Sequence, residues 1–300
     1  MQSVRVFLFL RRRGKLRWLP PGTLAMRSRK ALLLLPLLVA GALTACVHAP
    51  APAPQGAVDP PEVLLLGEVH DSAPGHAARL ERLQGRLAAD WRPAIAMEQF
   101  DREQQGALDA AMRDCTDVAC VIARVAPGKS GWHWDYYAPV IQLALDYDLP
   151  LYAANLSRAD ASKVVRDGFE AALSPALIAG YHLDALPPAL VAAQETEVRD
   201  SHCGQLPEAM VGPMARAQIA RDVVMAQTLR DHASTGAVLV AGNGHVRRDI
   251  GVPYWLRQAG LAPFAVGFLE PGGSADSFDE VVSIPEVERP DPCAAFGKAT

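Results

Sequence analysis

The chain has 300 residues, half of them hydrophobic, and its formal net charge is −4 at pH 7. Nine of its 29 Lys and Arg residues precede Cys46, where there is no Asp or Glu, which leaves 20 basic against 33 acidic residues, or a net charge of −13, for the rest of the chain. This charge argues against nucleic acid as a partner and against attachment to anionic lipid by charge alone.

The beginning of the chain has the features of an export signal. A basic segment, Met26-Arg27-Ser28-Arg29-Lys30, precedes an apolar segment, residues 31–42, that is too short to span a bilayer comfortably. Leu43-Thr44-Ala45-Cys46 then has the form of a bacterial lipobox. We therefore predict that residues 1–45 are a lipoprotein signal peptide, with the true start at Met26, and that Cys46 carries the lipid, such as palmitate.

The segment after Cys46 indicates a tether and a location. Residues 46–61 are rich in Pro and Ala, and chains of that composition are extended and semi-rigid. Val47, rather than Asp, follows Cys46, which fits sorting to the outer membrane. We expect a protein that its lipid alone holds at the outer membrane, facing the periplasm or the cell surface.

Four cysteines follow Cys46, an even number in a compartment that favours disulfide bonds. Three pairings are possible. We favour Cys115 with Cys120 and Cys203 with Cys293, because the first two are close in sequence; free buried thiols are the alternative.

Four short apolar runs lead to polar side chains. The runs and these residues are 62–66 with Glu68 and His70, 94–97 with Glu98, 149–154 with Asn155, and 237–242 with His245. Such runs are typical of buried strands in a parallel sheet, and helical patterns separate them. The sequence therefore predicts an α/β fold, a mainly parallel central sheet flanked by helices, over residues 62–285, with a tail at 286–300.

The helical patterns differ along the chain. After residue 75, Leu80, Leu83 and Leu87 mark the buried face of a helix, and Arg79 falls on the predicted solvent face. The Ala, Leu and Pro-rich residues 174–206 predict a smaller helical insert or lid. Residues 132–137 contain four aromatic rings and a histidine ahead of another helix. We favour a cluster that caps this helix and packs on the sheet edge over the wall of a ligand pocket.

Polar residues at the strand ends predict a chemical site, because ligands of open α/β sheets bind beyond the carboxyl ends of the strands. Two carboxylates and two imidazoles suit a divalent metal such as zinc or manganese, or general acid/base catalysis without metal. The predicted metal-binding or catalytic residues are Glu68, His70, Glu98 and His245. The predicted supporting residues, which would orient water, substrate or a histidine, are Asn155, Gln218, Arg221 and Asp222. The alternative is that these residues only tie loops together.

Several separated segments resemble the ChaN family of haem-binding lipoproteins, which shares a superfamily with the TraB and Tiki proteins and is more distantly similar to erythromycin esterases. The similar segments are Gly67-Glu68-Val69-His70 with His76, 96–100, 151–155, 218–222 with Met225-Ala226, and Gly242-Asn243-Gly244-His245-Val246 with Gly251-Val252-Pro253. The resemblance covers about residues 61–270. It implies an α/β domain with a smaller helical part, and a role in haem or iron uptake.

The resemblance leaves two functions open. The first is a lipid-anchored haem-binding protein, with a homodimer and an outer-membrane haem receptor among its expected partners. Haem iron takes Tyr or His, but no family motif selects one here. The candidates are Tyr181, His182, Tyr136, Tyr137 and His133. The second is a metal-dependent hydrolase, a peptidase or esterase, since the Glu and Gly-x-x-His segments resemble those of the Tiki peptidases and fall on Glu68, His70, Glu98 and His245.

Overall fold

The computed structural model describes residues 63–128, 131–291 and 293–294. The predicted signal peptide, the lipidated Cys46 and the tether lie outside these residues and stay predictions. In the described part of the chain, no helix is long and apolar enough to cross a membrane.

A central sheet of six parallel strands forms in the described residues. The strands are β1 (Val63–Leu66), β2 (Ala94–Asp101), β3 (Leu151–Asn155), β4 (Ala237–Val240), β5 (Pro263–Leu269) and β6 (Glu280–Ser283). Their order across the sheet is β3-β2-β4-β1-β5-β6. The predicted parallel α/β fold is confirmed.

Helices connect and cover the strands. In the described segments they are α1 (Ala73–Ala88), α2 (Gln105–Asp114), α3 (Val118–Val125), α4 (Trp134–Asp146), α5 (Arg158–Asp167), α6 (Pro175–Gly180), α7 (Pro188–Ser201), α8 (Glu208–His232) and α9 (Val252–Gln258). Serine side chains cap several of them: Ser72 accepts from the Gly75 N–H at α1, and Ser157 from the Asp160 N–H at α5. The residues of the predicted insert form α6 and α7.

The sheet separates two apolar cores because side chains alternate along each strand. Leu64 and Leu66 point into the core that α1 to α4 cover, together with Val238 and Val240. Val63 and Leu65 point into the core beneath α5, α8 and α9. The helix after β1, α1, and the helix after β4, α9, therefore lie on opposite faces of the sheet, although β1 and β4 are neighbouring strands. In parallel sheets a crevice opens at the carboxyl ends of two neighbouring strands whose following helices lie on opposite faces.

Two disulfide bonds occur among the described residues, and they have the predicted pairing, Cys115 with Cys120 and Cys203 with Cys293. The second joins the turn after α7 to the end of the chain. Arg289, in the predicted tail, also forms ion pairs with Glu270 and Asp71. The last described residues are therefore attached to the domain at two places.

Candidate functional site

A pocket of about 570 Å³ lies at the carboxyl ends of β1 and β4, against α7 and α8. We call it the strand-end pocket. Glu68 and His70 come from the loop after β1, and His245 lies in the short 3-10 turn Asn243–Val246 after β4. Glu98 is within β2 rather than after it, because that strand continues to Asp101. Residues far apart in sequence therefore meet at one edge of the sheet.

Glu68 is fully enclosed by donors. Its Oε1 accepts hydrogen bonds from the Tyr137 hydroxyl at 2.7 Å, from His70 Nδ1–H at 2.8 Å and from Gln99 Nε2–H at 3.4 Å. Its other oxygen forms an ion pair with Arg79. The Glu68 side chain has no exposed surface. Both carboxylate oxygens of Glu68 are thus occupied, and Glu68 holds the neighbouring His70 and Tyr137 side chains in place.

Arg79 is buried, with 1% of its surface exposed, so its predicted place on the solvent face of α1 is wrong. It donates to His76 Nδ1 at 2.9 Å, and His76 Nε2–H donates to the His70 carbonyl oxygen at 3.0 Å. Burial lowers the pKa of Arg79 to about 10 and also lowers the pKa of His76. The two residues hold the His70 loop from beneath, a role that the sequence analysis missed.

His70 presents one ring nitrogen to the strand-end pocket. Its Nδ1 is bonded to Glu68, and half of its side-chain surface is exposed. The ring lies over Gly242: a Cβ at Gly242 would stand 3.0 Å from His70 Cε1 and 3.1 Å from Nε2. A side chain at position 242 would press on the His70 ring and displace it, so Gly242 has a steric reason.

Glu98 also lies beside Gly242. Its Oε2 accepts the Gly242 N–H at 2.8 Å, and its Oε1 stands 3.5 Å from His245 Nε2. Burial favours the neutral acid, but the nearby imidazoles of His245 and His70, with the Gly242 N–H, outweigh it, so the pKa of Glu98 is lower than usual. The carboxylate is the charged form that faces the two histidines.

His245 is supported by a second buried carboxylate, as the sequence analysis proposed for Asp222. His245 Nδ1–H donates to Asp222 Oδ1 at 2.6 Å, and Gln194 Nε2–H donates to Oδ2 at 3.2 Å. Burial raises the pKa of Asp222 to about 6, against the attraction of His245. Burial lowers the pKa of His245, but Glu98 and Asp222 together raise it above its usual value. The two carboxylates therefore stabilise the charged form of His245 against the effect of burial.

The other predicted supporting residues have different places. Arg221 donates to Asn155 Oδ1 at 2.7 Å, and Asn155 Nδ2–H donates to Asp101 at 3.2 Å. This chain of contacts ties β3 to α8. Gln218 lines the strand-end pocket and can meet a ligand there.

The described residues do not fit the predicted metal site. Among them, no group of three or more His, Cys, Asp or Glu side chains has an arrangement that could hold a metal ion. The physical reason is that Glu68 already binds Tyr137, His70 and Arg79, while Glu98 binds the Gly242 N–H. Each of the two imidazoles instead has a buried carboxylate at its Nδ1 that fixes its orientation.

The aromatic residues 132–137 pack against the His70 loop. Trp132 contacts the His70 ring edge-to-face at 5.0 Å, and Tyr136 stacks on His76 at 4.7 Å. The cluster also begins α4. It packs against Glu68 and against the two histidines near Glu68, His70 and His76. Tyr137 does not fit a haem ligand, because its hydroxyl is buried, donates to Glu68 and has a pKa that burial raises. His133 is exposed, beside Tyr136 at 5.7 Å.

A second pocket, of about 390 Å³, lies between α6, the end of α8, and α9. We call it the insert pocket. Tyr181, His182, Arg230, Tyr254 and Trp255 line it. Arg230 is eight residues beyond Asp222 on α8, which is about 12 Å along the helix, so one pocket lies against the middle of α8 and the other against its end. The predicted haem candidates are thus divided between two places.

Tyr181 is buried, and its hydroxyl oxygen has no well-formed hydrogen bond to any described residue. The indole N–H of Trp255 is buried without a partner in the same part of the structure. Burial raises the pKa of Tyr181, and the nearby Arg230 guanidinium opposes that rise. His182 is exposed and has a left-handed backbone, with φ of 51°. The Trp255 N–H thus lacks a partner, the Tyr181 hydroxyl has only a poorly formed contact with Arg230, and buried groups of this kind call for an explanation.

The family model for haem-binding uptake proteins of the Tiki superfamily, ChaN, matches residues 57–256. The structure showing cofacial heme binding to ChaN of Campylobacter jejuni is similar with a TM-score of 0.59 and 19% sequence identity, over 74% of this chain and 86% of that chain. This similarity supports the fold. A search of curated protein sequences gives no match.

More distant structural similarities do not bear on function. A mutant of the erythromycin esterase EreC in its open conformation has a TM-score of 0.42 and 14% identity, over 75% of this chain and 76% of that chain. The type III effector HopBA1 has a TM-score of 0.39 and 11% identity, over 75% of this chain and 88% of that chain. The family match spans two thirds of the chain and carries the assignment: this chain belongs to the ChaN family of haem-binding uptake proteins in the Tiki superfamily.

Proposed function

We propose that this protein binds haem and delivers it for uptake, and that the insert pocket holds the haem. Membership of the haem-binding uptake family, over residues 57–256, is the observation that carries the proposal. The match includes Tyr181, His182, Arg230 and Trp255, so the insert pocket belongs to the part of the chain that the family shares.

The residues of the insert pocket fit haem. Haem iron in proteins takes Tyr or His as a ligand, and the Tyr181 hydroxyl is buried beside the pocket without a well-formed hydrogen bond. An unsatisfied buried polar group destabilises a protein by about 1–3 kcal/mol, which a bond to iron would relieve. Arg230 favours the phenolate form of Tyr181. Tyr254 and Trp255 supply apolar walls for a flat ring.

The charges around the insert pocket also suit haem. A guanidinium is the side chain that best binds carboxylates, and haem carries two propionates. Arg230 lies in the wall of the pocket, and His182 is exposed at it. Bound haem supplies an iron centre; the chain's own residues supply one oxygen ligand, an apolar cleft and a cation.

The proposal includes a location and partners. A lipid on Cys46 and the tether at residues 46–61 hold the domain at the outer membrane, facing the periplasm or the cell surface. There it exchanges haem with an outer-membrane receptor, and two copies associate when loaded. The lipobox and the Pro/Ala composition support the anchor.

The test is a titration of the purified chain with haemin, followed by the Soret band. We expect saturable binding, and at least tenfold weaker binding by Tyr181→Phe with loss of the tyrosinate-to-iron absorption. Tyr147→Phe is the matched control, because Tyr147 is exposed and lies in neither pocket. Absence of a Soret shift in the wild type, or an identical shift in Tyr181→Phe, contradicts the proposal.

A further inference from the structure

We propose that the disulfide bond between Cys203 and Cys293 is a redox switch that sets how far the strand-end pocket can open, and that its reduction by a dithiol widens the pocket. The proposal does not rest on haem binding. It rests on the attachments of residues 284–291 and Cys293, which we call the C-terminal strap. The strap joins two walls of the strand-end pocket to each other.

The first attachment of the C-terminal strap lies beside His70. The Arg289 guanidinium donates to the Glu270 carboxylate at 2.6 and 2.8 Å and to the Asp71 carboxylate at 2.9 Å. Asp71 directly follows His70, which lines the strand-end pocket. These charge-assisted bonds, two of which form a bidentate pair, fix the strap to the loop after β1.

The second attachment lies at the end of α7. Cys293 is bonded to Cys203, which stands two residues beyond the last residue of α7. Glu197, Val198 and Ser201, near the end of α7, line the strand-end pocket. The strap therefore also holds the helix end that forms another wall of this pocket.

The C-terminal strap is short between its two attachments. Cys293 is four residues beyond Arg289 in the sequence, and an extended chain of that length spans at most about 14 Å between Cα atoms. The end of α7 cannot move away from the loop after β1 by more than the strap and its attachments permit. Because both elements line the strand-end pocket, the strap limits how far the pocket opens.

The end of α7 is packed less firmly than its beginning. Leu190, in the first turn of α7, belongs to the large core beneath α5, α8 and α9, whereas Val198 belongs to a separate cluster. In the described residues, the buried members of that cluster are Val198, Val211 and Ala215. Segments with few buried apolar contacts open locally at a low cost in free energy. The end of α7 is therefore the wall that we expect to move when the disulfide bond opens.

The backbone of the turn after α7 supports this assignment. Cys203 has a φ of 58°, which lies in the left-handed region that residues other than glycine rarely adopt. Such a conformation destabilises the backbone and persists only where surrounding contacts impose it. The disulfide bond to Cys293 is one of those contacts, so its reduction allows the turn to relax and the end of α7 to move.

The exchange reaction needs only a dithiol. One thiolate of the dithiol attacks a sulfur of the disulfide bond, the bond between Cys203 and Cys293 breaks, and the second thiolate resolves the mixed disulfide. The dithiol is oxidised to a disulfide, and the two cysteines take up its two electrons and two protons to become thiols. Both cysteines are partly exposed and within reach of a reductant, whereas Cys115 of the other disulfide bond is buried.

The experiment measures how readily a small reagent reaches His245, whose side chain is 15% exposed in the strand-end pocket. The purified chain, oxidised or reduced with dithiothreitol that is then removed without air, is treated with diethyl pyrocarbonate. Mass spectrometry of peptides follows the modification of each histidine. We expect reduction to speed the modification of His245 about tenfold relative to His232, which stacks on Tyr152 outside both pockets.

Cysteine variants separate the two disulfide bonds. Cys293→Ser should show the fast modification of His245 without any reductant. The double variant with Cys115→Ser and Cys120→Ser, which removes the other disulfide bond, should keep the slow rate of the oxidised chain.

Arginine variants test the first attachment and decide the matter if Cys293→Ser does not fold. Arg289→Met releases the strap from the loop after β1 and leaves the disulfide bond intact, so modification of His245 should be about threefold faster. Arg124→Met, which removes an exposed ion pair with Asp114, is the matched control and should leave the rate unchanged.

A disulfide bond between Cys203 and Cys293 that resists dithiothreitol in the folded chain would overturn the proposal. So would equal modification of His245 in the oxidised and reduced chain, or a response to dithiothreitol that persists in Cys293→Ser. Reduction that exposes His76 as much as His245 would show general unfolding and would overturn it too, because His76 is buried beneath the His70 loop.

Discussion

The two pockets differ in whether the buried polar groups beside them have hydrogen-bond partners within the protein. Beside the strand-end pocket, the Tyr137 hydroxyl and the three buried carboxylates, Glu68, Glu98 and Asp222, have partners within the protein, whereas Arg79 Nε and Gln99 Oε1 lack them. In the insert pocket, the Tyr181 hydroxyl and the Trp255 N–H lack well-formed partners. Paired carboxylates hold the side chains around the first pocket in place, whereas a buried donor without a well-formed partner can gain one from a ligand. We therefore expect the second pocket, rather than the first, to capture a ligand.

The largest expected effect is on the buried ion pair of the strand-end pocket. Arg79→Met leaves the Glu68 carboxylate buried without its cation, and we expect the free energy of unfolding to fall by about 3–5 kcal/mol. Urea unfolding measures it. Arg82→Met, which removes a partly exposed pair with Glu280, should change stability by at most about 1 kcal/mol. Equal effects of the two substitutions would contradict the role of Arg79.

Asp222 should give stability a distinctive pH dependence. Its pKa is about 6 in the folded state and 3.8 when unperturbed, so its contribution is complete below about pH 4 and is lost as pH rises through 6. Asp222→Asn cannot ionise. Its free energy of unfolding, relative to the wild type, should therefore rise by about 2–3 kcal/mol from pH 4 to pH 7.

Urea unfolding at several pH values measures this difference. Asp167→Asn, at the exposed end of α5, is the control for a surface carboxylate. A difference between Asp222→Asn and the wild type that is constant with pH would show that burial does not raise the pKa of Asp222.

A matched pair of Tyr→Phe substitutions compares the pockets directly. Tyr137→Phe removes a hydrogen bond to a buried carboxylate and should destabilise the protein by about 2 kcal/mol. Tyr181→Phe removes a hydroxyl that has no well-formed bond, so stability should stay within about 0.5 kcal/mol or rise. Thermal unfolding without haem measures both changes in stability. A larger loss in Tyr181→Phe than in Tyr137→Phe would contradict the comparison.

The smallest expected effect is steric. Gly242→Ala places a methyl group 3.0 Å from the His70 ring, so the free energy of unfolding should fall by about 1 kcal/mol while haem binding is unchanged. Gly244→Ala meets no atom within 4 Å and is the control. Urea unfolding and haemin titration of both variants check this. A loss in Gly244→Ala as large as in Gly242→Ala would disprove the steric reason.

The sheet could be predicted from the sequence because short apolar runs bounded by polar residues have few alternatives in a chain of this length. The carboxyl-edge position of Glu68, His70 and His245 followed from the parallel arrangement. Glu98 was predicted to follow a strand, but it lies within β2, because that strand continues to Asp101. The register that brings Glu98 near His245 depends on β4 lying between β1 and β2, which no local pattern reveals.

The supports of Glu68 could not be predicted in the same way. Arg79 was assigned to solvent because it is charged, and its burial depends on Glu68, which belongs to another element. The spacing contained a signal: His76, Arg79, Leu83 and Leu87 form the buried side of α1, with Leu80 half-buried beside them. A charged residue within an apolar stripe calls for a buried partner of opposite charge.

The division of roles between the pockets is tested most directly by titrating His70→Gln and Tyr181→Phe with haemin in parallel. We predict that His70→Gln keeps the Soret shift of the wild type at the same haemin concentration, and that Tyr181→Phe loses it or requires at least ten times more haemin. Loss of the shift in His70→Gln with full binding by Tyr181→Phe would place haem in the strand-end pocket and contradict the account.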